Sequence, residues 1–282
     1  MEQVYAVIGD PIKHSMSPQI HNDALNSYKI CARYHAFEVK KEKLREAVEG
    51  MRALNIKGFN VTVPHKVDII PLLDHIDESA QLVGAVNTVV NQNGTLIGYN
   101  TDGIGFYRSI QPYLTKHHDK TEVLIIGAGG ASRAIFNTLA KEGFSHIDIV
   151  NRTKERAMKL KEICPFNVQG NVYSLEEIKN VTKQYDLVIQ TTSIGMSPSV
   201  SEKPLELEGY ISEQSVVTDI IYNPIETAFL KEANQIGAKT IDGVGMFVHQ
   251  AAESFELWTG VKPDISRMKQ IVYEKLRGAS RC

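Results

Sequence analysis

Apolar and polar positions along this chain follow two alternating periods, and the switches between them outline its elements. Val4-Tyr5-Ala6-Val7-Ile8 is a short apolar run closed by Gly9-Asp10-Pro11, which predicts a buried strand and a turn. Ser17 followed by Pro18 predicts a helix capped at Ser17, with Ile20, Ala24 and Leu25 as its apolar face. A strand over 34–39 leads to a helix over 43–54, where Leu44, Ala47, Val48, Met51 and Leu54 recur at helical spacing. Asn60-Val61-Thr62-Val63 then alternates with a period of two. That places Asn60 and Thr62 on one face and Val61 and Val63 on the other, and Pro64 ends the strand or sends it to an edge. The order β, α, β, α, β predicts a layered α/β domain with mainly parallel pairing.

A short helix is predicted near 71–82. Asn93-Gly94 between the apolar runs 84–90 and 96–99 is a hairpin signal, and a further helix starts near Ile104. Val123-Leu124-Ile125-Ile126 turns through Gly127-Ala128-Gly129-Gly130-Ala131 into an alanine-rich helix, and His146 to Val150 completes a β-α-β unit. Ser174-Leu175-Glu176-Glu177 is a capping box, and Asp186 to Ile189 and Val216 to Ile221 read as buried strands. Thr240 to Gly245 reads as the last strand and turn. The closing helices put Phe247, Val248, Ala251, Phe255 and Trp258 on one stripe, with Gln250 off it.

Composition narrows the classes. A length of 282 residues suggests about two domains, and 43% hydrophobic with 23% charged residues describes an ordinary globular chain. The net charge of -2 provides no basic footprint, so nucleic acid is not an expected partner. No apolar run reaches the roughly 18 residues of a membrane span, and the first strand follows no basic leader, so a cytoplasmic location without a membrane is expected. Cys31, Cys164 and Cys282 are widely spaced and odd in number, which fits small buried or terminal thiols and neither a disulfide framework nor a zinc site. The nine histidines show no ligand spacing, and no metal is expected. His65 reads as structural.

Candidate chemistry concentrates in a few stretches. The strand before Lys66 delivers an ammonium to its end, where ligands collect in open α/β sheets; a solvated edge strand is the plainer alternative. Ser15 and Ser17 at a helix amino terminus suit an anion, with capping as the competing role for Ser17. Asn87 adds an amide and Asp102 a carboxylate, although Asp102 also suits an N-cap. Gly127 to Ala131 leaves backbone open to a pyrophosphate at the start of a helix, with Ser132 departing from the glycine or alanine usual at the sixth position. The following strand runs into Asn151-Arg152-Thr153-Lys154-Glu155-Arg156, with no acid where NAD would want one. Arg152 and Arg156 offer planar donors to a phosphate and Thr153 a hydroxyl, so NADP is the expected cofactor. Thr192 and Ser193 lie in a loop expected to border its nicotinamide end.

With those motifs in place the chain resembles the shikimate dehydrogenase family. The resemblance rests on His14-Ser15-Met16-Ser17-Pro18, Asn60 to Lys66, Gly84 to Thr88, Asn100-Thr101-Asp102-Gly103, Gly127 to Ala131, Asn151-Arg152-Thr153, Gly243 and Gln250. It implies reversible reduction of 3-dehydroshikimate to shikimate with NADPH, in the pathway to aromatic amino acids. It implies a substrate domain over 1–103, a Rossmann domain over 104–242, helices over 243–282 returning to the first, and an active site in the cleft. It implies Lys66 and Asp102 as the catalytic pair, with Ser15, Ser17, Thr62, Asn87, Tyr222 and Gln250 on substrate and Asn60 lining the pocket. On the cofactor side it adds Glu78, Ile220, Gly243 and Met246 to the glycine turn and residues 151–156.

A lysine ammonium beside a carboxylate suits a general acid in the reduction. In the oxidation the same lysine must act as base, against that carboxylate. A quinate or shikimate dehydrogenase with relaxed cofactor use and a non-catalytic dinucleotide sensor are the rival readings. A methyltransferase would leave Arg152 without a phosphate to meet. Either a monomer or a homodimer is compatible with the sequence.

Overall fold

The computed structural model describes residues 2–279. Cys282 lies outside the described residues. The chain divides into two compact units, one running through Thr101 and resuming at Val248, the other Asp102–Phe247.

In the first unit, the apolar run at the start forms β1 (Gln3–Gly9), followed by α1 (Ser17–Ser27), β2 (Ala32–Glu38), α2 (Leu44–Ala53), β3 (Gly58–Val61), β4 (His75–Ile76), α3 (Glu78–Val83), β5 (Thr88–Gln92) and β6 (Thr95–Tyr99). They form a six-stranded sheet in the order β2-β1-β3-β5-β6-β4. The β1–β2, β1–β3 and β4–β6 ladders are parallel, and those of β5 are antiparallel. Asn93 and Gly94 both have left-handed φ, 54° and 97°, the geometry a two-residue hairpin loop requires.

Several expectations are corrected here. The strand ends at Val61, so Val63 does not join the apolar face and is 67% exposed. With neighbours β1 and β5, β3 is an interior strand, and Pro64 lies beyond the ladder, where its missing N–H costs nothing. The helix expected over 71–82 is broken into a 3₁₀ turn (Ile70–Leu72), β4 and α3, because Asp77 caps α3 by accepting from the Ser79 N–H at 2.9 Å. Ser17 is the first residue of α1 and Met16 takes the cap position without a side-chain bond; Ser15 Oγ accepts from the Ser17 N–H instead. Leu54, past the end of α2, is 77% exposed. Cys31 is exposed and Cys164 half-buried, so neither is the buried thiol expected.

The second unit contains α4 (Asp102–Ile110), β7 (Glu122–Ile126), α5 (Gly130–Lys141), β8 (His146–Val150), α6 (Lys154–Glu162), β9 (Val172–Tyr173), β10 (Leu187–Gln190), β11 (Val216–Asp219), α7 (Ala228–Ile236) and β12 (Lys239–Ile241). Its sheet is parallel throughout, in the order β12-β11-β10-β7-β8-β9. Read from β9, that is the doubly wound order, with its reversal between β7 and β10. Buried on both faces, β7 and β10 are continuous apolar runs that pack into separate cores on either side, Ile125 and Ile189 in one and Leu124 and Val188 in the other. The capping box forms as read: the Glu177 N–H donates to Ser174 Oγ at 3.1 Å and the Ser174 N–H to Glu177 Oε2 at 2.8 Å.

The boundary between the units falls inside α8 (Val244–Thr259), which α9 (Ile265–Ala279) follows. In the first unit Val248, Ala251 and Phe255 of α8 are buried as the stripe predicts. Trp258 donates from Nε1 to the Val89 carbonyl at 2.9 Å, and a Cβ on Gly58 would sit 2.2 Å from that nitrogen. Only glycine lets the indole lie over β3. No helix among the described residues is long and apolar enough to cross a membrane.

Candidate active site

The substrate-side candidates of the first unit stand at the carboxyl ends of β1 and β3 and on the elements beside them. Thr62 follows β3 and its N–H donates to the Ile8 carbonyl at 3.0 Å; its methyl comes so near Gly9 that a Cβ there would be 2.4 Å away. Lys66 is half-buried, and its carbonyl accepts from the Val86 N–H at 2.8 Å. His65 is fully buried with Nε2 2.7 Å from the Val39 carbonyl, a structural role as read from the sequence. Ser15 is half-buried and Ser17 buried at the start of α1, and Gln250 is half-buried on α8. Glu78 opens α3.

Asn60 and Asn87 are more deeply engaged than expected. Asn60 Nδ2 lies within 3.0–3.1 Å of the Asn87 carbonyl, Thr88 Oγ1 and Ser254 Oγ, and Asn60 Oδ1 accepts from the Tyr34 hydroxyl at 2.7 Å. Asn87 Oδ1 accepts from the Thr101 N–H and the Thr88 hydroxyl, and Asn87 Nδ2 donates to Thr101 Oγ1. Ser254 donates to the Gln250 carbonyl at 3.0 Å and lies 2.7 Å from Thr88 Oγ1. The amides therefore hold the surrounding elements in register. A satisfied buried network of this kind is rigid.

The second unit begins with Asp102, buried in the first turn of α4 directly after Thr101. The expected N-cap position is thus shifted by one residue. Tyr222 follows β11, is half-buried, and packs on Phe247 with ring centroids 4.9 Å apart; burial raises its phenol above the ordinary value. Asp219, at the end of β11, accepts from the Ile221 N–H at 2.9 Å and from the Thr227 hydroxyl at 2.8 Å, so it shapes the turn that carries Ile220 and Tyr222. Burial pushes its carboxyl up to about 6.

The cofactor-side candidates of this unit gather at carboxyl ends of its parallel strands, around the β7/β10 reversal. Gly127 has φ 113°, and a Cβ there would be 2.5 Å from Thr191 Oγ1, so the loops after β7 and β10 touch. A Cβ on Gly129 or Gly130 would meet nothing within 4 Å, and no side chain caps α5 at Gly129. The first turn of α5, through Ala131, thus has room for a ligand beside Gly129 and Gly130 at a positive helix end, and together with Ala128 such a turn fits a pyrophosphate. Ser132 is buried and donates to the Gly127 carbonyl at 2.7 Å, so its hydroxyl braces the turn. Arg152 and Arg156 are exposed, and their side chains have no ion-pair partner among the described residues. They fit a phosphate; Lys154 is held by Glu177 at 2.7 Å, and Asn151 Nδ2 donates to the Thr153 carbonyl at 2.7 Å. Glu155 is exposed. At the end of β10, the buried Gln190 bonds both the N–H and the carbonyl of Thr192, which shapes the loop through Ser193. Gly243 approaches Ile220 so closely that a Cβ would be 2.2 Å from its carbonyl oxygen. Met246, by contrast, is packed into the apolar core of this unit.

Tyr34, Thr88, Gln190, Asp219 and Ser254 escaped the sequence reading. Each acts through a partner distant in the chain or through backbone geometry, and local pattern reports neither.

Residues 7–89 match the family described as shikimate dehydrogenase substrate binding domain, residues 111–243 shikimate / quinate 5-dehydrogenase, and residues 243–273 shikimate 5'-dehydrogenase C-terminal domain. The shikimate dehydrogenase (NADP(+)) of Bacillus subtilis (strain 168) is 52% identical over 99% of both chains. A shikimate dehydrogenase solved in complex with NADP+ superposes with a TM-score of 0.88 at 42% identity, over 98% of this chain and 96% of that one. The Thermus thermophilus shikimate 5-dehydrogenase, solved with NADP(H) and shikimate, gives 0.86 at 34% identity over 96% and 99%. By matches that span both units, the chain belongs to the shikimate dehydrogenase family.

Proposed function

We infer that this protein is an NADP-dependent shikimate dehydrogenase, interconverting 3-dehydroshikimate and shikimate in aromatic amino acid biosynthesis. The observation that carries the cofactor is the pair Arg152 and Arg156 following β8, without ion-pair partners among the described residues, in the same unit as a glycine turn with open space at Gly129 and Gly130. Full-length identity to an NADP-dependent relative supports the substrate.

Bound NADPH supplies the hydride for the ketone carbon. Lys66 Nζ gives its proton to the ketone oxygen in the reduction and takes it back in the oxidation, and Asp102 holds the ammonium or a ring hydroxyl as acceptor. Ser15, Ser17 and Tyr222 offer hydroxyls to the substrate carboxylate, while Thr62, Asn87 and Gln250 face its ring hydroxyls. Glu78 is assigned to the nicotinamide end. The enzyme works on small molecules in the cytoplasm, as monomer or homodimer.

Rates with shikimate and quinate under NADP+ and NAD+ test the reading. Shikimate with NADP+ should be the best combination. Preference for quinate with NAD+ would favour the relaxed relative instead, and loss of all turnover would favour a sensor.

A further inference from the structure

We propose that Tyr34 is a positioning residue for the substrate pocket, its hydroxyl fixing the orientation of the Asn60 amide. The inference rests on the reading above, which places Asn60 in that pocket.

An asparagine amide can sit in either of two flipped orientations, and its partners decide which. Here the Asn60 nitrogen faces the Asn87 carbonyl, Thr88 Oγ1 and Ser254 Oγ, while its oxygen faces the Tyr34 hydroxyl at 2.7 Å. Carboxamide oxygens only accept, so the single phenolic proton of Tyr34 is committed to Asn60. That bond and the Asn87 carbonyl, which can only accept, select the same orientation, in which Nδ2 reaches Asn87 and Ser254, and through Ser254 the carbonyl of Gln250. Asn60 thereby links the phenol to the backbone carbonyl of Asn87 and, through Ser254, to that of Gln250.

Tyr34 is itself held firmly. It lies on β2, the edge strand of its sheet, and its N–H and carbonyl both bond the Asn22 side chain at 2.9 Å. Its ring stacks on His21 with centroids 4.3 Å apart and planes 9° from parallel. The whole side chain is 2% exposed, and burial holds the phenol protonated by pushing its pKa well above the ordinary value. A donor so fixed in place and in protonation serves to set geometry.

The test is Tyr34→Phe, alone and combined with Asn60→Ala, in the full-length enzyme. The ring and its stacking are kept, and only the hydroxyl is removed. Tyr34→Phe should raise KM for shikimate about three- to tenfold, the worth of one neutral hydrogen bond, and leave KM for NADP+ unchanged. The double variant should be no worse than Asn60→Ala, because the phenol acts through the amide. A lowered melting temperature with unchanged shikimate KM would reduce Tyr34 to a stabilising residue, and additive effects would show that it does not act through Asn60. Should Asn60→Ala not fold, the KM split of the single variant decides alone. Absence of shikimate turnover in the unsubstituted enzyme would instead overturn the activity on which the inference rests.

Discussion

Thr101 and Asn87 clasp each other: the Thr101 N–H donates to Asn87 Oδ1 at 2.8 Å, and Asn87 Nδ2 donates to Thr101 Oγ1 at 2.9 Å. The residue after Thr101 is Asp102, and the residue before Asn87 is Val86, whose N–H holds the Lys66 carbonyl. Within the first unit, the Lys66 carbonyl and Thr101 are thereby both held by the short segment 86–87. Firm placement of an acid or base is what makes its proton useful.

Lys66→Ala should lower kcat by about 10²- to 10⁴-fold, the usual worth of general acid–base catalysis, with little change in shikimate KM. Steady-state kinetics in both directions checks this. An unchanged kcat with a raised KM would confine Lys66 to binding.

Arg152→Ala should weaken NADPH binding by about 10- to 100-fold, as expected for a charge-assisted phosphate contact, and NADH binding far less. Titration of each reduced cofactor by fluorescence provides the comparison. Equal losses would show that Arg152 does not contact the 2'-phosphate.

Gly58→Ala should destabilise the protein by about 1–3 kcal/mol, because the new methyl overlaps the indole of Trp258. Denaturant unfolding followed by tryptophan fluorescence reports on the affected ring, since Trp258 is the single tryptophan.

His21 predicts a pH dependence. It is fully buried, both ring nitrogens lack a hydrogen-bond partner among the described residues, and burial lowers its pKa from 6.5 to about 3. Between those values the unfolded chain binds the proton and the native protein does not. Its contribution to stability is therefore full above 6.5 and is lost as pH falls toward 3. His21→Phe, which keeps a ring against Tyr34, should flatten the melting temperature over that window.

The sequence made the local devices legible. Asn93-Gly94, Ser174 with Glu177, and the glycine turn after β7 each combine a residue's intrinsic preference with a neighbour a few positions away, and each forms as read. What stayed hidden depends on long-range closure. Asn60 and Ser254 bond across 194 positions, and no periodicity joins them. The exposure of Val63 was hidden for a related reason: alternation continues past the point where β3 loses its neighbours.

The most direct measurement mixes the purified protein with shikimate and NADP+ and follows the absorbance of the reduced cofactor. NADPH and 3-dehydroshikimate should appear in equal amounts, and the rate should collapse in Lys66→Ala. No reduced cofactor from the unsubstituted protein would contradict it.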